Sequence, residues 1–327
     1  MPLMRSAKPV VLCVLLGSVL TACAKVELTA PHMAPIPKEA RMLLGRKAMT
    51  VQSPIFVRIF KAESELEVWK QRLDGHFYHF KTYPICNWSG GLGPKLRQGD
   101  KQSPEGFYRV NRHQMNPNSK FHLSFDLGYP NAFDKAHGRT GNFLMVHGKC
   151  RSAGCYAMTD ALMEEIYALA REAFAGGQKA FHVHAFPFRM TEQNLARFQG
   201  DRNSHFWRSL KDGYDYFEVT RKVPSVVICR RRYHVNVEWN GPRPDPNGAC
   251  PRFVRGPIEP FVAPPGSQPN RAYAPNPPPV LQPAASPQHA AAGQPRPGRF
   301  NGRMSLAPRA MPRPPMSIND LLLRQPN

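Results

Sequence analysis

Within residues 142–160, read NFLMVHGKCRSAGCYAMTD, a histidine (His147), a serine (Ser152) and a cysteine (Cys155) fall inside nine positions. These residue types point to acyl transfer by a thiol. A cysteine attacks an amide carbonyl as its thiolate, and an ordinary thiol pKa near ~8.5 leaves little of that form at neutral pH unless a base or a positive environment favours it. His147 is the obvious base. Backbone N–H groups at Gly154 and Cys155 are candidates for an oxyanion hole, where one donor contributes roughly 2.7 to 4 kcal/mol of transition-state stabilisation. His147, Cys150, Cys155, His182 and His184 are zinc-ligand types, but their spacing matches no common zinc pattern, so no metal or other cofactor is expected. His182 and His184, two apart on a strand, share one face and read as structural or cleft-lining.

The elements that must position these groups are legible around them. Residues 143–146 form a short apolar run that reads as a buried strand delivering His147 to its end. A tight loop follows, and Thr159 or Asp160 opens an amphipathic helix with Leu162, Ile166, Leu169 and Ala173 on one face, stopped by Gly176-Gly177. A thiol at the mouth of that helix would also gain from the helix dipole. Upstream, residues 55–60, 65–69, 76–82 and 107–110 are β-rich runs separated by polar or glycine-containing turns, and the glycine-rich stretch 83–98 is of the sort that edges a cleft. Downstream, 181–188 returns to strand, 191–198 and 204–210 read as short helices, and 217–220 and 223–229 as the last strands. The expected class is α+β, mainly β with flanking helices, as a β-sandwich or open barrel.

Four blocks together carry a family resemblance: His147-Gly148, the Ser152-x-Gly154-Cys155 box, the upstream run from Gly99 to Gly106 (GDKQSPEG), and Cys155 to Asp160 (CYAMTD). With Phe186 to Thr191 and the stretch from Trp207 to Phe217, they resemble the YkuD-type L,D-transpeptidases of bacterial cell walls, in their YafK-like branch. The resemblance covers roughly residues 55–226. It implies a thioester on Cys155, and it makes Ser152, through its hydroxyl or its carbonyl, the third member that orients the imidazole. The implied substrate is a peptidoglycan stem peptide, attacked at its diamino-acid residue. Water as acceptor gives a hydrolase that edits cross-links or lipoprotein attachments; an amine gives a transpeptidase. Where most of the family carries a histidine before the glycine and an arginine soon after the cysteine, this chain has Ala153 and Tyr156. Gly148, Arg151, Tyr156 and Arg189 are the candidate substrate-binding residues, with Arg151 or Arg189 to clamp a peptide carboxylate. A non-catalytic wall-binding lipoprotein is the competing class.

Composition bounds the rest. The 327 residues carry a formal charge of +21, which suits nucleic acid, an anionic membrane surface or acidic wall polymer. The N-terminus decides between compartments: Arg5 and Lys8 precede an apolar run at 10–19, and Leu20-Thr21-Ala22-Cys23 matches a lipoprotein cleavage box. Cys23 is therefore the expected lipidation site after a signal peptide at 1–22, the chain exported to the periplasm and held on the outer membrane, with a wall-attached lipoprotein or outer-membrane protein as a possible partner. Export disfavours nucleic acid. With Cys13 removed, Cys23 acylated and Cys155 reduced, four cysteines remain to bridge, and Cys229 with Cys250 is the favoured pair; a Cys150–Cys155 bridge is the rival that would silence the thiol. Residues 23–49 read as a tether, 50–229 as the catalytic domain and 230–250 as its edge. Most of the 35 prolines lie beyond residue 240, with ten arginines, no lysine and three acidic residues, so 251–327 reads as a disordered tail.

Overall fold

The computed structural model describes residues 30–264; the signal-like run, Cys23 and the chain beyond Pro264 lie outside the described residues. The β-rich runs of the N-terminal half build a first sheet. It joins β1 (Ile55–Phe60), β2 (Glu65–Gln71), β3 (Phe77–Pro84), β5 (Gly106–Asn111) and β10 (Ala180–Phe186) in the order β3-β2-β1-β10-β5, antiparallel except between β1 and β10. Shorter strands make a second sheet, β4 (Asn87–Trp88), β6 (Met115–Asn116), β7 (Ser124–Asp126), β8 (Met145–His147) and β9 (Tyr156–Ala157), in the order β4-β9-β8-β7-β6. The α-helices are α1 (Lys38–Arg46), α2 (Ala132–Ala136), α3 (Asp160–Ala175), α4 (Glu192–Arg197) and α5 (Ser204–Thr220). The fold is α+β with two open sheets, and neither closes into a barrel.

β1 lies between two apolar layers. Ile55, Val57 and Ile59 face a core shared with Phe125, Val146 and Tyr156 of the second sheet and with the Ile166 and Leu169 face of α3. Phe60 turns the other way, to Phe107, Phe186, Trp207 and Tyr214 beneath α5. At roughly 1.5–3 kcal/mol for each large apolar side chain buried, these two layers supply the main favourable term in folding. α3 starts as its sequence dictates: Thr159 caps it by accepting from the Leu162 N–H, and Gly176 ends it.

Several expectations change. Residues 217–220, read as a strand, are the last turn of α5, which runs unbroken from Ser204. Gly213 looks like a helix breaker, but a Cβ there would stand 2.5 Å from Phe107 Cζ, so its missing side chain serves close packing instead. Phe143, expected in a buried strand, is 67% exposed with φ of 54°, and β8 begins two residues later. Part of the segment read as a tether is ordered: α1 buries Ala40 and Leu44 in the core beside Ile36 and Met49. The first residues of the segment read as a tail are ordered too. Val254–Arg255 pairs with Val237–Glu238, and the Phe261 ring packs on His76 and Tyr78 while its N–H donates to the Val219 carbonyl.

Candidate active site

β8 and β9 are parallel neighbours, with Val146 opposite Tyr156 and His147 opposite Ala157. That pairing brings the end of one strand, carrying His147, beside the start of the other, preceded by Cys155. The Met145 N–H donates to Cys155 Sγ at 3.4 Å, and Met145 and His147, two apart on β8, share a face. The thiol is half-buried and also contacts the Phe143 carbonyl at 3.7 Å. It does not sit at a helix mouth, because β9 and Met158 separate it from Thr159, the cap of α3.

His147 is 3% exposed, and its Nδ1 hydrogen-bonds the Gly148 carbonyl at 2.6 Å. With Nδ1 as the donor, Nε2 is the basic nitrogen. The Phe121 ring lies against the imidazole with centroids 4.7 Å apart. The Ser152 hydroxyl is turned away from this ring. Its hydroxyl donates to the Cys155 carbonyl at 2.7 Å, accepts from the Gly154 N–H at 3.2 Å and meets Ser89 Oγ at 3.0 Å. Ser103 Oγ donates to the same Cys155 carbonyl at 3.1 Å. Two serines thus clamp the peptide unit after the thiol, with Ser89 behind one of them, while a main-chain carbonyl holds the histidine.

Burial lowers the His147 pKa below the ordinary imidazole value, with the Gly148 carbonyl acting in the opposite direction. Burial pushes the Cys155 thiol up, against the Met145 N–H; the Asp126 carboxylate raises it further and Lys95 lowers it. The resting pair is therefore a neutral thiol beside a neutral imidazole.

The other anticipated residues disperse. Gly148, whose carbonyl holds His147 Nδ1, is also closely packed: its N–H donates to the Phe121 and Leu123 carbonyls, and a Cβ would lie 2.5 Å from Asp160 Oδ1. Tyr156 is buried, its hydroxyl donating to the Pro104 carbonyl at 2.7 Å, so it lines the core rather than a cleft. Arg189 pairs with Glu65 and Glu67, which commits its guanidinium to the first sheet. Arg151 is exposed on the loop between β8 and β9. His184 is buried on β10 among Phe56, Phe107 and Phe186, away from the thiol loop. Cys150 forms a disulfide with Cys86, and Cys229 one with Cys250, leaving Cys155 the free thiol among the described cysteines. Cys229, His234 and Cys250 cluster closely enough to ligate a metal, but their two sulfurs are spent on each other. The sequence reading missed Ser89, Lys95, Phe121 and Asp126. None carries a local signature, although Ser89 and Lys95 lie in the glycine-rich stretch 83–98 and Ser103 lies inside the GDKQSPEG run.

Comparison with known proteins gives the family. The model of the L,D-transpeptidase catalytic domain family, YkuD, matches residues 59–180. YafK of Escherichia coli strain K12, provisionally named an L,D-transpeptidase, is 44% identical over 202 residues, which span 62% of this chain and 79% of YafK. The chain belongs to the YkuD-type L,D-transpeptidase family. Its domain is of an enzyme type that acts on peptidoglycan. Two solved structures are more remote. Pgp2, the helical cell shape determining protein of Campylobacter jejuni, is 21% identical with a TM-score of 0.34, covering 53% of this chain and 68% of its own. Bd1075 of Bdellovibrio bacteriovorus is 19% identical with a TM-score of 0.28, covering 50% and 60%. At that similarity neither adds to the assignment, which rests on sequence.

Proposed function

We propose that Cys155 is the nucleophile of a peptidoglycan-editing enzyme that cleaves amide links at the diamino-acid residue of stem peptides, either cross-links or the attachment of a lipoprotein. The observation that carries this reading is the placement of the free thiol one strand away from an imidazole whose Nδ1 is already held. As sulfur attacks the carbonyl carbon, His147 Nε2 takes the thiol proton. The tetrahedral oxyanion rests on the Cys155 N–H. Gly154 is the weaker second donor, because Ser152 already accepts from its N–H. Collapse expels the amine, which takes the proton from the imidazolium, and leaves a thioester on Cys155. Water, deprotonated by the same nitrogen, then releases the carboxylate and restores the thiol.

A second reading keeps the first half-reaction and resolves the thioester with an amine, forming a cross-link or a wall attachment; the name of the 44% identical relative favours it. Both readings place the protein outside the cytoplasm. The two disulfides support export, since such bonds persist in oxidising compartments. Lipidation at Cys23 and residence on the outer membrane belong to the same proposal.

The test incubates the protein with muropeptides bearing tetrapeptide stems, 3-3 cross-links or a lipoprotein-derived lysine, and follows products by mass spectrometry beside Cys155→Ala. Cys155-dependent loss of the lysine or of the cross-link supports hydrolysis. New cross-links select the transpeptidase. A folded wild-type protein that yields neither product rules out both.

A further inference from the structure

The hairpin of β11 (Val226–Cys229) and β12 (Arg232–Val235) turns through Arg230 and Arg231, whose φ angles of 47° and 57° suit a tight two-residue turn. The Cys229–Cys250 disulfide ties this hairpin to the chain that covers it, where Arg230 and Arg231 donate their N–H groups to the Gly248 and Pro246 carbonyls. Between hairpin and cover lies a cavity of about 470 Å³ lined by Arg230, Arg232, His234, Cys250 and Phe253. Arg232 and His234, two apart on β12, share one face, and the Phe253 ring lies 5.1 Å from the imidazole.

Charge is what sets this cavity apart. Several buried cations elsewhere have carboxylate partners, Arg58 with Glu67, Lys61 with Glu105, Arg139 with Asp134 and Lys211 with Asp215, and Lys70 has the Val51 and Ser53 carbonyls, whereas the three hairpin arginines are exposed. Arg230, Arg231 and Arg232 make no ion pair among the described residues. Arg230, Arg232 and Arg255 all act to lower the pKa of His234, whose largest depression comes from burial, so several positive charges converge on one imidazole. The nearby acid of the covering loop, Asp245, accepts from the Asn247 N–H. Two guanidiniums can each offer a planar pair of donors to an oxyanion, beside an imidazole that lines the cavity with its Nε2 3.3 Å from Cys250 Sγ.

We propose that the cavity between this hairpin and its cover is a binding site for a phosphate-bearing anion. It belongs to a part of the chain remote in sequence from the thiol and needs no catalytic role. A phosphate on a lipid headgroup and a soluble phosphate share the chemistry, and the experiment separates them.

Full-length protein carrying Cys23→Ser, so that no acyl chain contributes membrane affinity, is titrated with inorganic phosphate by calorimetry. The same protein is co-sedimented with vesicles of phosphatidylcholine, with and without phosphatidylglycerol. At about 1 kcal/mol for each arginine near an anionic surface, R230Q/R232Q is expected to weaken the interaction by at least about tenfold. The charge-matched R202Q/R208Q, two exposed arginines elsewhere, is expected to bind as wild type. Loss confined to phosphatidylglycerol vesicles identifies a headgroup; loss of phosphate binding identifies a soluble ligand. H234Q, which keeps the hairpin turn intact, serves should the double variant fold poorly, and it too is expected to weaken binding. Wild type binding neither probe overturns the site. So does an arginine or histidine variant that binds unchanged, or a control that loses as much as R230Q/R232Q.

Discussion

His147 and Cys155 start the reaction uncharged, which sets the pH behaviour of the proposed chemistry. The imidazole must be neutral to accept the thiol proton, and burial lowers its pKa, so activity holds as pH falls through 6.5 and is lost only below that ordinary imidazole value. A pH profile of kcat/KM whose acid limb lies at or above 6.5 contradicts this. The raised thiol pKa means that alkylation of the resting enzyme by iodoacetamide stays slow until the pH passes the ordinary thiol range. Ser152→Ala removes one hydroxyl from the clamp on the Cys155 carbonyl without touching the support of the imidazole. It is expected to cost about 1 kcal/mol of stability and to lower kcat by about tenfold or less, whereas Cys155→Ala abolishes product. Loss of activity in both variants alike would return Ser152 to the role of orienting residue. Arg189 illustrates a further point at this scale. Burial opposes ionisation of Glu67, but the Arg58 and Arg189 guanidiniums outweigh it and hold its pKa at about 2. A depressed carboxylate stabilises the fold above its unfolded value near ~4.3, and that contribution fades as pH falls towards about 2. Arg189→Ala should therefore cost roughly 3 kcal/mol of stability with KM unchanged; calorimetry and steady-state kinetics together separate this from a substrate clamp.

At the scale of elements, the loop between β8 and β9 works under constraint. Lys149 and Cys150 take φ angles of 62° and 49°, and Gly154 sits at φ of 122° with Leu144 Cδ1 3.2 Å from where a Cβ would be. Gly154→Ala places a side chain in a backbone region suited to glycine, costing on the order of 1–3 kcal/mol, and because the strain falls next to the thiol, kcat should drop further than Tm. The Cys86–Cys150 disulfide fastens the same loop to the residue before β4, itself paired with β9. With the cysteines 64 positions apart, the chain-entropy account gives about 4 kcal/mol, so C86S/C150S should lower Tm by roughly 10 °C. A Tm within a degree or two of wild type would mean that the bond is dispensable. Much of this level was readable beforehand: the strand at 55–60 and the α3 start at Thr159 or Asp160 both follow from local pattern. What escaped reading was set by contacts distant in sequence. Gly213 looks like a break until Phe107 is known to fill the space, and nothing near Ser152 tells that its hydroxyl points to the Cys155 carbonyl rather than towards His147.

For the whole molecule, the sheets alone are an incomplete unit. Ile36, Ala40, Leu44 and Met49 complete one layer of the core, and Phe261 covers the His76 and Tyr78 edge. A fragment spanning 30–264 should unfold at a distinctly higher temperature than one spanning 50–250, since each buried aliphatic side chain contributes roughly 1.5–3 kcal/mol. Equal Tm values would show that both flanks are passengers. Composition concealed these ends, because a short amphipathic helix and a single anchoring phenylalanine are swamped by the prolines around them. One consequence of the parallel β8/β9 pairing reaches across these scales. Cys155 stands just before β9 and His147 lies opposite Ala157, two residues further along, so the offset between the proposed nucleophile and base is fixed by a hydrogen-bonded ladder and not by the lengths of the surrounding loops. Insertions at 90–94 can then reshape the surroundings of the site while the offset between sulfur and imidazole stays the same, so that diversification of substrate and conservation of chemistry are mechanically uncoupled.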